Sequence, residues 1–315
     1  MKIAKPPLGL APVAALSLTV LALAGLLLFA SDKPATHSAV VRPPIVGVAS
    51  VELRTDDMSA ARQFYSGLLG FSATSLEGSA RFVYFKVNDH QYIQLFNELK
   101  DPKESRLVYI AFETTDAEQL RSYLASQGVK VPNNLPPRQD GDLDFDVTDP
   151  DGHDIEFVQY ASGSVHSKEF GKFMPDSRIS RRIIHAGFIV HNRAAEDRFY
   201  KDILGFKETW HGAMQDDRTD WVDMRVPDGP DWLEYMLNVH NPDVHLRGVM
   251  NHLALGVPDV NAANQELIKR GFKGEKPKIG RDGKWQLNLY DPNLTRVELM
   301  EPKPVQKPCC SPMTP

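Results

Sequence analysis

The sequence predicts an α+β protein built from four copies of one strand–helix–strands module, preceded by a separate hydrophobic N-terminus. Three observations carry this. Residues 50–71 (SVELRTDDMSAARQFYSGLLGF) and 185–206 (HAGFIVHNRAAEDRFYKDILGF) align without gaps, sharing FY in mid-segment and LGF at the end. A second pair also aligns without gaps: YIAFETTDAEQLRSYLASQGVK from Tyr109 and HLALGVPDVNAANQELIKRGFK from His252. Both members of that pair run on to an Asp-Pro turn and an alternating strand, DPDGHDIEF (149–157) and DPNLTRVEL (291–299).

Taken in chain order, the first element is the uncharged, Leu/Ala/Val-rich run Gly9–Ala30, which follows Lys2 and Lys5. Its 22 residues, at ~1.5 Å each, match the ~30 Å hydrocarbon core of a bilayer. The expectation over 1–45 is a membrane anchor or signal segment plus a Pro-bearing tether. The positive-inside rule then places the bulk of the chain in the periplasm, membrane-anchored or, after cleavage, secreted. The modules follow at about 46–100, 105–160, 182–240 and 248–302. In each, a short alternating strand leads into an amphipathic helix, and a Gly ends the helix in the segments 50–71 and 185–206. The polar segment 161–181 divides them into two domains, 46–160 and 182–302. The Pro-rich tail 303–315 lacks periodicity and is expected to be disordered.

Composition narrows the partners. Hydrophobic residues are 42% and charged residues 24%, as in soluble globular chains, which argues against wholesale disorder and a polytopic membrane protein. A net charge of −5 with no basic stripe argues against nucleic acid. Cys309 and Cys310, adjacent near the C-terminus, cannot build a disulfide framework or a cysteine zinc site. Six of the ten histidines lie between His185 and His252, which directs attention to the second domain.

The FYSGLLGF and FYKDILGF elements and the DPDGHDIEF ending resemble the vicinal oxygen chelate superfamily. That family includes glyoxalase I, extradiol ring-cleaving dioxygenases, and the bleomycin and fosfomycin resistance proteins. The resemblance covers nearly all of 46–302. It implies βαβββ modules paired into two open mixed β-barrels, with metal ligands on the first and last strands of the modules. In the second domain those positions hold His185, Glu234, His252 and Glu298. Strand alternation agrees: Ala186, Phe188 and Val190 form one face around His185, Leu253, Leu255 and Val257 one face around His252, and Val297 and Leu299 flank Glu298. All four candidates point away from the aliphatic faces. In the first domain Ser50, Gln94 and Tyr109 stand at the corresponding places and only Glu156 matches a ligand, so this domain is expected to be degenerate and metal-free.

Two imidazoles and a carboxylate with open positions form the facial triad of non-haem Fe(II) oxygenases. A single chain of two barrels with metal in the second resembles the extradiol dioxygenases, with one Fe(II) or Mn(II) and a substrate that chelates it through two oxygens. The tyrosine of that family falls on Asn288 here; Tyr290, on the same face, is the candidate, and His240, His211 and His245 are candidates for its acid–base histidine. A glyoxalase-like lyase or isomerase is the alternative, with Glu234 as a fourth ligand and proton shuttle to Zn(II) or Ni(II). The arginine expected four residues beyond the first ligand is Ile189, which counts against a glutathione thioester. The third reading is a tethered, non-catalytic binder of small molecules, with Trp210, Trp221, Trp232 and Trp285 lining its cavity.

Overall fold

The computed structural model describes residues 40–75, 81–135, 138, 140–238 and 251–314. The anchor or signal expected over 1–45 lies outside the described residues as far as 39. Among the described residues no helix is long and apolar enough to cross a membrane.

Each module opens on a strand whose chain then turns into a helix through an Asp or Asn cap. β1 (Ile45–Arg54) leads to α1 (Met58–Arg62), where Asp57 accepts from Ala60 N at 2.9 Å. The same device starts α2 (Ala117–Ser126) at Asp116, α4 (Arg193–Asp197) at Asn192 and α5 (Val260–Lys269) at Asp259; α3 (Val165–Lys168) lies in the interdomain segment. In modules one and three the helix widens into a π turn, Gln63–Leu68 and Arg198–Ile203. These turns are the repeated FY motifs, and they bury Tyr65 and Tyr200 completely. Gly70 and Gly205 then end the helices at φ 80° and 84°, a conformation that costs glycine nothing.

The first sheet contains β1, β2 (Ala73–Thr74), β3 (Phe82–Lys86), β4 (Tyr92–Phe96), β5 (Leu107–Thr114), β6 (Leu143–Thr148) and β7 (Asp154–Gln159), in the order β2-β3-β4-β1-β5-β7-β6. The second contains β8 (Ile183–Ile189), β9 (Lys207–Gly212), β10 (Trp221–Arg225), β11 (Trp232–Met236), β12 (His252–Gly256), β13 (Lys278–Ile279), β14 (Trp285–Tyr290) and β15 (Arg296–Met300), in the order β13-β14-β15-β12-β8-β11-β10-β9. In both, the opening strands of the two modules pair antiparallel at the centre, and each takes its own module's closing strand as a parallel neighbour. The expected strand between helix and hairpin in the second module is missing among the described residues.

The two domains share one apolar core and are clasped reciprocally. Tyr65 of module one donates to Asp291 in the turn of module four at 3.2 Å, and Tyr200 of module three donates to Asp149 in the turn of module two at 3.1 Å. Asn293 reinforces one side, accepting from Thr55 and donating to Asp56. Glu196 reinforces the other, accepting from Asp151 N at 2.8 Å.

The tail departs from its expected disorder. Cys309 and Cys310 are disulfide-linked, Val305 N reaches Gly283 O, Trp210 Nε1 donates to the Cys309 carbonyl, and Thr314 N reaches Thr209 O. Proline-rich chain without periodicity forms no helix or strand, yet its backbone groups here find partners on a sheet edge and a hairpin.

Removing the Tyr65 hydroxyl leaves the buried Asp291 carboxyl without that donor. Tyr65→Phe is expected to cost about 1–3 kcal/mol in urea unfolding, and an unchanged midpoint would sink the clasp.

Candidate metal centre

β8, β12, β11 and β15 are the four central strands of the second sheet, and each carries one candidate ligand on the same face. His185 and His252 are buried, with their Nε2 atoms 3.1 Å apart. Two nitrogens each bound at about 2.0–2.1 Å to one ion would stand roughly 3.0–3.4 Å apart. Glu298 Oε2 lies 3.7 Å from His185 Nε2 and 4.0 Å from His252 Nε2. These three residues offer donor atoms all within 4.8 Å of one another. Glu234 Oε2 comes within 2.9 Å of His252 Nε2 and 3.9 Å of His185 Nε2, outside that three-residue cluster.

Gly187 makes the approach possible. In the strand register it is opposite His252, and a Cβ there would overlap the imidazole ring. The His252 ring lies in the space that a side chain at 187 would take.

The electrostatics suit a cation. Burial pushes His185 well below the usual imidazole range, so it stays a neutral donor, although the Glu234 charge opposes the shift. Burial also pushes Glu298 up to about 7, partly offset by Arg296. Glu234 is held down at about 2 against the effect of its burial, by its hydrogen bond with His252 and the positive charge of Arg296. Two imidazoles and two carboxyl groups facing one point form a donor set that fits a divalent first-row metal.

The cluster opens into a cavity of about 410 Å³ whose wall includes Trp210, Trp221, Asp223, Asn288, Arg296 and Met300. Of the four tryptophans, Trp210 and Trp221 line it; Trp232 stands 5.1 Å from the His185 ring and Trp285 packs against the core. Asn288, opposite Glu298 in register, lines the cavity, whereas Tyr290 at the strand end is 38% exposed and does not. His211 is held by Glu208 at 2.9 Å away from the wall. His240 and His245 lie outside the described residues.

Sequence reasoning did not find Gly187, Arg296 or Asp223. Arg296 brings its guanidinium 2.6 Å from His252 Nε2 and 3.7 Å from Glu234. Asp223 is a buried carboxyl held well above the usual carboxylate range by burial, against the opposing charge of Lys284. Their signal was present in alternation: both share a strand face with a wall residue, Asp223 with Trp221 and Arg296 with Glu298.

In the first sheet the same register positions are filled differently. Gln94 falls two residues out of step with Ser50 just as Glu234 does with His185, and Glu156 pairs with Ala111 as Glu298 does with Ala254. Gln94 donates to Ser50 at 3.2 Å and accepts from Tyr109 at 2.8 Å, while Glu156 pairs with Arg138 at 3.0 Å. Among the described residues no cluster of metal donors forms there.

Paired modules that curl a mixed sheet around a His-His-Glu cluster define a recognisable structural class. The comparisons agree: residues 47–157 and 184–287 each match a family model described as the Glyoxalase/Bleomycin resistance protein/Dioxygenase superfamily. The chain belongs to that superfamily. Its fold is similar to that of the 2,3-dioxygenase LapB from Pseudomonas sp. KL28 (15% identity, TM-score 0.65, covering 85% of this chain and 97% of that one). It is also similar to the Mn(II)-bound glyoxalase from Novosphingobium aromaticivorans (19%, 0.62, 82% and 83%), and to an extradiol ring-cleaving dioxygenase from B. fuscum (18%, 0.62, 88% and 76%). No curated protein sequence matches significantly.

Anaerobically purified full-length protein is expected to hold about one equivalent of divalent metal by elemental analysis. His252→Ala should remove it and Gly187→Ala should deplete it by displacing the ring, whereas Glu156→Gln should leave it unchanged. Full metal content in His252→Ala would show the assignment to be wrong.

Proposed function

We propose that the protein is a metal-dependent dioxygenase of the extradiol, ring-cleaving type, acting on a substrate that offers two vicinal oxygens such as a catechol. The observation that carries this reading is the three-residue cluster of His185, His252 and Glu298, of which His185 and Glu298 lie on the wall of the cavity. Three protein donors leave about three of six positions free, room for two substrate oxygens and O2 together. When bound, Fe(II) or Mn(II) supplies the Lewis acidity and electron transfer that bring substrate and O2 to react; both oxygen atoms enter the product and no external reductant is consumed.

The chain's own residues have other tasks. His185, neutral through burial, keeps a lone pair for coordination. Trp210 and Trp221 offer aromatic surface to a flat substrate ring and exclude water. Arg296 points positive charge at the place where substrate oxygens lose their protons. Asp223, whose carboxyl burial holds well above the usual range, is a proton donor on the cavity wall, which Asn288 at the family's tyrosine position does not supply.

One observation favours a second reading, a glyoxalase-like lyase. Glu234 approaches His252 at 2.9 Å; as a fourth ligand it would leave only about two positions, enough for a chelating substrate but not for O2 as well.

Glu234→Gln separates the two. Under the oxygenase reading the variant keeps its metal and its oxygen uptake with catechols, while His185→Ala loses both. Loss of metal in Glu234→Gln, with no oxygen consumed by the wild type over a panel of catechols, would overturn the oxygenase in favour of the lyase.

A further inference from the structure

The first sheet encloses a cavity of its own, of about 120 Å³, against the positions that correspond to the metal ligands. Its wall is of a different kind. Tyr84, Tyr92, Tyr109 and Tyr160 line it, together with five carboxyl groups, those of Asp140, Asp142, Asp144, Glu156 and Glu169. Among the described residues the one guanidinium on the wall, Arg138, is already bound by Asp144 and Glu156. His166 adds no charge there: burial and the neighbouring His90 push it down to about 4. Its ring stacks on Tyr160 with centroids 3.6 Å apart, and its Nδ1 sits 2.8 Å from the Tyr92 hydroxyl.

A second observation points the same way. Glu52 lies on the face of β1 that carries Ser50, beside Gln94 and Tyr109 in register. It is 5% exposed and has no hydrogen-bond or ion-pair partner among the described residues. The concave face thus combines tyrosine rings with an excess of buried acid.

The geometry points to a binding site for a small organic ammonium ion, its alkyl groups against the tyrosine rings and its charge balanced by the buried carboxylates. Aromatic faces attract cations, and more strongly where water is excluded. A small inorganic cation would need oxygens to replace its hydration shell, and Ser50, Gln94 and Tyr109 spend their polar atoms on one another. An anion meets five carboxyl groups. The cavity is well below the roughly 300–1,000 Å³ of a drug-sized pocket, so it accepts a head group rather than a large molecule.

The test is calorimetric titration of the full-length protein with choline and with its uncharged isostere, in which carbon replaces the ammonium nitrogen. Saturable one-to-one binding of choline is expected, with the isostere weaker by about tenfold or more. Tyr84→Leu, which keeps apolar bulk and removes the π face, and Glu156→Gln, which removes a carboxyl from the wall, should each weaken choline about tenfold while the metal content of the second domain stays unchanged. Equal binding of the isostere, full choline affinity in both variants, or no saturable heat at millimolar choline would overturn the proposal. The wild-type comparison decides by itself if a variant fails to fold.

Discussion

The central pairing of β8 with β12 controls the candidate site, because those strands belong to different modules and hold their register only through each other. Each brings a closing strand alongside in parallel, so residues far apart in sequence fall on one face of four adjacent strands. Side chains on neighbouring strands of a flat sheet stay about 4.5–5.5 Å apart at Cβ. Bringing two imidazole nitrogens to 3.1 Å requires one ring to lean across its neighbour, and Gly187 is where the neighbour yields. A glycine in the middle of a buried strand ordinarily weakens it; here the missing side chain is the space the His252 ring occupies.

The two sheets show how much of this is scaffold and how much is chemistry. Ser50, Gln94, Tyr109 and Glu156 occupy the same register as His185, Glu234, His252 and Glu298. The first set satisfies itself through neutral hydrogen bonds and one guanidinium. The second set leaves imidazole nitrogens and carboxylates facing each other, which no arrangement of their own protons satisfies as well. The scaffold therefore tolerates either solution. Its stability rests elsewhere, on the common apolar core and on the reciprocal Tyr65–Asp291 and Tyr200–Asp149 bonds.

Those bonds also explain what could be read in the sequence. The FY and Asp-Pro elements repeat strongly enough to reveal four modules, because each domain must place a tyrosine in a π turn of its first module and an aspartate in a turn of its second. Repetition alone could not show that the partners come from opposite domains, since that contact spans 226 residues in one case and 51 in the other. The candidate ligand positions came from the family resemblance, and alternation, which depends only on neighbours in one strand, agreed with them. Gly187, Arg296 and Asp223 were not legible, because their roles arise from cross-strand approach and cavity shape. The ordered tail was missed for a related reason: its partners at Gly283, Trp210 and Thr209 leave no periodic trace in its own residues.

The position of Arg296 says most about what the second cavity favours. A guanidinium cannot lose its proton in a protein, so its approach to His252 Nε2 and to Glu234 marks a point where positive charge is stabilised from several sides. Buried carboxyl groups at Glu234, Glu298, Asp223 and Asp282 surround that region, while Lys284 is held 3.4 Å from Asp282 and 4.6 Å above the Trp232 ring. A divalent ion at the cluster would compete with Arg296 for the same field. Arg296 already lies on the cavity wall, so its N–H donors reach both the cluster and the cavity. The sheet that shapes the cluster thus also sets a guanidinium beside it, and the candidate metal site and the cation on the cavity wall arise from one charge distribution.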